Sequence, residues 1–590
     1  MDIFDKVNNK CFYIFSIIIF LLSTVVIYYF YSFSSTYPSY IFWILSTSIF
    51  ILIFVQICNT TGIKRIYEYL LIFEILYVRS IYTMVNILTV PYGLFGRDVH
   101  SDYTVAKLIE KYSLQYIQHA PGILLKIRDY SKWPMIHLLA VITNYVTEVP
   151  LFKVFGYLTI TKLLPVTIFS IGLLFYYLGQ RKIYGIKVAS TSVLLVSFVF
   201  YNLIFHSWFV RETYAYVIFL YLFYLIVAID KNKKKMLFLS IIGILNILFA
   251  HHLTAFTFII FLGVLGLSII LLRGHLSSSL GFIGTLLIIS SIGFISYALY
   301  IGEFVFNYLV SSILALFNPA YSQPYYIKLP LHSAALLKYK IQVYLTLFYI
   351  SIFTLIGIHK LVHTKKQTLL YWDFFGIFWG ILISLMAVIN RIISNLPNIG
   401  LQRLLSFSWP FFVSPSIDYI FTKLCDIKRK NVKNTRIVGI VVFIVSFLLF
   451  NLYMVPSYIY NAKSTPNYVL NEVSMKYSAS HYLATYWFLV NTPVNVDIYG
   501  DTTINELFGG LGNRIVRQNI DIYKACDKTY FGGKWLAIRM ENFNVIRCIR
   551  GFMKMPYSHL TTNDYYCIMV RANKLYDGED IQLFKFVEGS

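Results

Sequence analysis

The sequence predicts a polytopic α-helical membrane protein, with about 13 transmembrane helices followed by a small extracytoplasmic C-terminal α/β domain. Three observations carry that prediction. Hydrophobic residues make up 58% of the chain and charged ones only 13%, with a mean hydropathy of +0.66, a balance foreign to a water-soluble globule. The apolar residues fall in blocks of roughly 20, one bilayer thickness each. The basic excess, a formal charge of +23, sits mostly in short gaps between alternate blocks. That distribution points to the anionic face of a lipid bilayer as the partner and not to nucleic acid.

The expected spans begin near Cys11, Ile41, Tyr67, Val154, Val188, Thr213, Met236, Leu253, Leu280, Ile341, Leu370, Leu404 and Ile437. Lys6 and Lys10 precede the first, whose apolar run is too long for a signal-peptide core and has no small-residue cleavage site, so it reads as a retained span. The groups Lys64/Arg65, Arg181/Lys182/Lys187, Lys231 with Lys233 to Lys235, Arg273, Lys360/Lys365/Lys366 and Lys423 to Arg436 fall in alternate gaps. With the N-terminus inside, all of them face the cytoplasm of a cell-membrane protein. The loop after Pro91, the turns near Arg211 and His251, the loop after Gly302, the segment from Arg391 to Arg403 and the C-terminus then lie outside. Residues 1–456 form the membrane domain and 457–590 the soluble one.

That parity requires Trp133 to Val149 to lie in the interface, closed by Glu148 and Lys153; a true span there is the alternative. Residues 91–153 thus form one outer loop with two membrane-lying helices, near Tyr103 to Tyr112 and Met135 to Val149. A second outer loop, Asn318 to Leu329, is rich in tyrosine and proline and reads as a cover over a groove or as an interface belt. Beyond Ser457, Ala479 to Val490 predicts a helix, and Val494 to Tyr499, Trp535 to Arg539, Tyr566 to Val570 and Ile581 to Phe586 predict strands. Gly509, Gly510 and Gly512 end a short helix, and Asp497 and Asp501 fall at a strand end, as ligand-binding or solvated turn acids. Cys526, Cys548 and Cys567 lie in the outer domain, where a disulfide is permitted but its pairing is open. There is no CxxC, HExxH, GxSxG, Walker loop or dinucleotide fingerprint, so the energy for any reaction comes with the substrate.

The stretch from Gly96 to Tyr103 carries the chemistry. Pro91, Gly93 and Gly96 break the preceding helix and leave Asp98 at the boundary of water and lipid, where partial desolvation favours a general base. His100 and Asp102 follow two and four residues on, a spacing that fits one sugar or one divalent cation (Mg or Mn) held with Asp98. Asp102 fits equally well as the cap of a helix starting near Tyr103. A departing phosphate calls for arginine, and Arg211, Arg391 and Arg403 fall at outer span ends, with Arg403 best placed. His251 and His252 would orient the donor phosphate or sugar. Snorkelling to headgroups is the plain alternative for any single arginine. Glu74, Arg79 and Lys162 lie inside spans, lining a polar cavity or pairing with one another.

An acid-bearing first outer loop with interface helices, many spans and an outer soluble domain resembles the GT-C glycosyltransferases, which include protein mannosyltransferases, aminoarabinose transferases and oligosaccharyltransferases. The phrases Trp208 to Thr213, His251 to Ala255, Gln402 to Leu405 and Asn573 to Asp577 are similar to those of archaeal members. The resemblance implies inverting transfer of a sugar from a polyprenyl (dolichyl) phosphate to an acceptor lipid, glycan or protein on the outer face. The oligosaccharyltransferase signature WWDYG is missing from the C-terminal domain, which argues against transfer of a whole glycan to asparagine; Tyr371-Trp372-Asp373 is in a membrane-entry position where it cannot replace it. The rival classes are a polysaccharide polymerase or ligase driven by outer-loop arginines, and a lipid flippase or transporter.

Overall fold

The computed structural model describes residues 9–32, 40–60, 65–88, 94, 99–119, 125–151, 159–229, 232–273, 278–302, 333–364, 370–392, 401–425, 430–464, 479–493, 496–501, 504–511, 514–517, 533–539, 549–550, 553–554, 561–578 and 581–587. Asp98 and the Asn318 to Leu329 loop lie outside them, as do the side chains of Arg391 and Arg403.

The fold is mostly helical. In chain order come α1 (Asn9–Ser32), α2 (Tyr40–Cys58), α3 (Arg65–Leu88), α4 (Val99–Lys111), α5 (Leu114–His119), α6 (Leu125–Ser131) and α7 (Met135–Thr147). Then follow α8 (Ile160–Tyr184), α9 (Ile186–Ser197), α10 (Phe200–Ile204), α11 (Arg211–Val227), α12 (Lys233–Ala250), α13 (His252–Arg273) and α14 (Ser278–Tyr300). The membrane part closes with α15 (Ser333–His363), α16 (Tyr371–Ile392), α17 (Leu401–Cys425) and α18 (Lys430–Ser464). Among the described residues, six helices are long and apolar enough to cross a membrane: stretches of α2, α8, α13, α14, α15 and α18. The span expected from Val188 is instead the short α9, 12 residues long, about 18 Å against a hydrocarbon core of about 30 Å. Continuous apolar sequence hid the break, because Phe198 and Val199 end the helix without any glycine or proline to announce it.

Small residues set the closest approaches. Helices α8 and α11 run parallel, with Gly172 against Val217 and Gly179 against Phe223, and a Cβ at Gly179 would lie 2.5 Å from that ring. Helices α16 and α17 run antiparallel, with Gly376 against the Phe411 carbonyl and Gly380 against Phe412. In lipid, where apolar burial gives no net drive between helices, this close packing holds them together. Pro410 interrupts α17 and removes the usual donor to the Ser406 carbonyl, which the Tyr216 hydroxyl supplies instead at 2.9 Å.

Polar contacts mark one end of the bundle. Glu68 at the start of α3 pairs with Arg181 at 2.5 Å, and Lys360 bridges Asp373 at 2.6 Å and Asp418 at 2.7 Å. Lys182 Nζ donates to the Val227 carbonyl at the end of α11, 2.6 Å away, the favoured place for a cation at a helix C-terminus. Asp373 therefore lies at the end opposite the N-termini of α11 and α17.

The C-terminal part comprises α19 (Ala479–Asn491), β1 (Ile498–Tyr499), a π-helix (Asn505–Leu511), β2 (Val516–Arg517), β3 (Trp535–Arg539), β4 (Ile549–Arg550), β5 (Met553–Lys554), α20 (Thr562–Arg571), β6 (Ala572–Asp577) and β7 (Ile581–Phe586). One sheet has the order β2-β1-β3-β7-β6; β1 is parallel to β2 and β3, and β7 antiparallel to β3 and β6. Phe488, Ile498, Leu507, Phe508, Trp535 and Leu583 fill its core. The strand expected at Tyr566 to Val570 is helix α20, because Thr561 and Asp564 close a capping box that starts a helix. Asp497 and Asp501 are taken up by internal ion pairs, with Arg517 and with Arg539. Cys567 is disulfide-bonded.

Candidate functional site

The site is built on α4, α6, α7 and the start of α11. Helix α4 begins at Val99, four residues ahead of the expected start, so Asp102 lies inside its first turn, where the helix dipole favours an anion. The whole turn is buried, Val99 through Thr104. In α7 and the turn before it, Trp133, Ile136, His137, Ala140 and Val141 repeat at helical spacing and form the buried face. The spacing turns His137 towards α4, and its Nε2 lies 2.9 Å from Asp102 Oδ1.

Arg211 opens α11, and its Nε is 3.1 Å from the same carboxylate oxygen. Its guanidinium lies over the Tyr130 ring at 3.6 Å and beside Trp133 at 5.7 Å, the planar stacking that lysine cannot reproduce. Trp133 in turn meets His252, 5.1 Å between ring centroids, and His251 Nδ1 is 3.0 Å from the Thr254 hydroxyl at the start of α13. Burial pushes the His137 imidazole below its usual range, the Asp102 hydrogen bond pulls it upward, and the Arg211 charge pushes it down again. A neutral imidazole here donates Nε2–H to Asp102 and leaves Nδ1 as an acceptor. Asp102 Oδ2, His137 Nδ1 and the Ser101 hydroxyl are buried without a protein hydrogen-bond partner. Such atoms mark places where a water or a ligand group belongs.

His100 takes a separate partner: its Nε2 is 2.8 Å from the hydroxyl of Tyr482 in α19. Among the residues expected from sequence, the fold therefore brings Asp102, Arg211 and His252 around Tyr130 and Trp133, with His251 beside His252. Asp98 immediately precedes α4 in sequence. Arg403 lies one turn before Ser406, whose carbonyl is bound by Tyr216 of α11, and Arg391 lies in the last turn of the antiparallel α16. Both backbones therefore reach the end of the bundle that carries Arg211. His137, Tyr130, Trp133 and Tyr482 were not singled out by sequence. A histidine on the buried face of an apolar helix was the available signal for the first.

The described residues do not fit a divalent cation at Asp102. Arg211 already lies against that carboxylate and would repel a second positive charge, and no group of three His, Cys, Asp or Glu gathers among the described residues.

Arg79 and Glu74 in α3 do not pair with each other. Arg79 donates to the carbonyls of Val166 at 3.3 Å and Asn202 at 3.4 Å and covers Phe169, while the Glu74 carboxylate is buried beside Ser16 and Gln56. Lys162, in the first turn of α8, is also buried.

No family model and no curated protein matches the sequence. Solved structures do match its fold. The oligosaccharyltransferase of Archaeoglobus fulgidus, tethered to an acceptor peptide, is similar over 81% of this chain and 70% of its own, at 9% identity and a TM-score of 0.51; its apo form gives 80%, 70%, 10% and 0.50. ArnT from Cupriavidus metallidurans, bound to undecaprenyl phosphate, is similar over 87% of this chain and 97% of its own, at 8% identity and a TM-score of 0.50. The chain thus shares the fold of these oligosaccharyltransferase and ArnT structures.

Proposed function

We propose that the protein is an integral membrane glycosyltransferase that moves a sugar from a polyprenyl-phosphate donor to an acceptor on the extracytoplasmic face, with inversion. The observation that carries the reading is the buried cluster in which Asp102 holds both His137 and Arg211. It lies where α4, the start of α11 and the C-terminal domain meet. The fold neighbours support the donor class, since one has undecaprenyl phosphate bound. The disulfide at Cys567 supports an oxidising, outer location for the C-terminal domain.

In this reading the Asp98 carboxylate takes the proton of the acceptor hydroxyl as that oxygen attacks the anomeric carbon, and the bond to the lipid phosphate breaks on the opposite face. Asp102 and the Tyr130 ring hold the Arg211 guanidinium flat at the mouth of the site. With Arg403 and Arg391, it stabilises the negative charge that grows on the departing phosphate. His137 fixes the Asp102 carboxylate, and His251 and His252 line the same mouth behind Trp133. No step passes through a divalent cation.

Purified protein in lipid, offered radiolabelled polyprenyl-phosphate sugars with total membrane lipids, tests this. Asp98→Asn is expected to lose transfer while retaining donor binding. Transfer retained by Asp98→Asn and lost on replacing Arg403 or Arg211 would support the arginine-driven ligase instead.

A further inference from the structure

We infer that Tyr482 of the C-terminal domain is a positioning residue for the catalytic base, its one hydroxyl tying Leu94 to His100 on either side of Asp98 in the sequence. The inference rests on the transferase reading for its consequence but not for its geometry. Leu94 N donates to the Tyr482 hydroxyl at 2.8 Å, and His100 Nε2 lies 2.8 Å from the same oxygen. Leu94 and His100 flank the segment that carries Arg97 and Asp98. A phenol has one donor and two acceptor sites, enough for both partners. The ring itself is 2% exposed and stacks on the His100 imidazole, 5.9 Å between centroids and 20° between planes.

A second contact presses the same helix turn against the domain. The Thr104 hydroxyl donates to the Gly510 carbonyl, and a Cβ at Gly510 would lie 3.1 Å from Ser101 Oγ and 3.3 Å from His100 Cβ. A side chain at position 510 would crowd this turn by a few tenths of an ångström. Thus α19 and the π-helix hold the turn next to Asp98 from two directions. Arg97 and Asp98 fall between these held residues in the sequence, and a base misplaced by about 1 Å can cost about a hundredfold in rate. The domain accordingly acts on the chemical step, beyond any part it plays in choosing acceptors or shielding the site. His100 becomes a holder of the bend and not a metal ligand.

Tyr482→Phe tests this, since it keeps the ring, its burial and its stacking while deleting one oxygen. Hydrogen exchange on the full chain in lipid nanodiscs is expected to show faster exchange across residues 95–103 in the variant. Turnover is expected to fall roughly 10–100-fold with the KM for lipid donor unchanged. His100→Gln, which keeps a group able to bond the phenol, should lose less turnover than His100→Ala, so a folding defect in one variant leaves the other series to decide. Unchanged exchange and unchanged turnover in Tyr482→Phe would overturn the staple, as would equal losses in the two His100 variants. A wild-type protein without transfer sinks the transferase reading alone, because the exchange experiment still decides whether the hydroxyl holds the bend.

Discussion

At the residue scale, the Asp102 carboxylate serves two partners through one oxygen, His137 and Arg211. Asp102→Asn would leave the guanidinium facing a neutral amide. We expect a loss of about 3 kcal/mol, at the low end for breaking a buried pair because Tyr130 still covers the cation, read as a lowered thermal midpoint in detergent. Arg211→Lys keeps the charge but forfeits the flat stack on Tyr130, and the expected result is at least a roughly tenfold fall in donor turnover. His137 lies in a helix read as interfacial and titrates below the usual imidazole range because it is buried. A lowered histidine value favours folding above the unfolded value, about 6.5, and that contribution is lost as pH falls through it. Stability measured between about pH 8 and 5 should therefore decline on the acid side, and His137→Asn should flatten the decline. An unchanged profile in the variant would assign the acid limb to other groups.

At the scale of elements, close helix contact depends on glycine at particular positions. A Cβ at Gly376 would lie 2.5 Å from the Phe411 carbonyl oxygen, so Gly376→Ala must push α16 and α17 apart. A lowered thermal midpoint is expected, while Gly439→Ala, with open space around it, should leave the midpoint unchanged. Much at this scale was legible in the sequence. Helices form within the apolar blocks, six of them among the described residues long and apolar enough to cross a membrane, and Trp535–Arg539 and Ile581–Phe586 are strands with the expected bounds. What stayed hidden depends on partners distant in sequence. The His137 to Asp102 contact joins residues 35 apart, and the His100 to Tyr482 contact residues 382 apart; no local periodicity encodes either. The helix at Thr562–Arg571 was misread because its aromatic and β-branched residues favour strands, whereas its capping box decides the outcome.

For the whole molecule, what matters is which groups share one end of the bundle. Glu68, Arg181, Lys360 and Asp373 form ion pairs at one end, and Asp102, Arg211 and the C-terminal contacts of α4 occupy the other. The proposal makes the second end extracytoplasmic. Proteoliposomes with all C-terminal domains facing outward, and a labelled polyprenyl-phosphate sugar confined to one leaflet, test the claim most directly. Label is expected to reach an acceptor only when donor occupies the leaflet on the side of the C-terminal domain, and Asp98→Asn is expected to abolish the transfer. Consumption only from the opposite leaflet, or no consumption of any donor offered on either side, would contradict it.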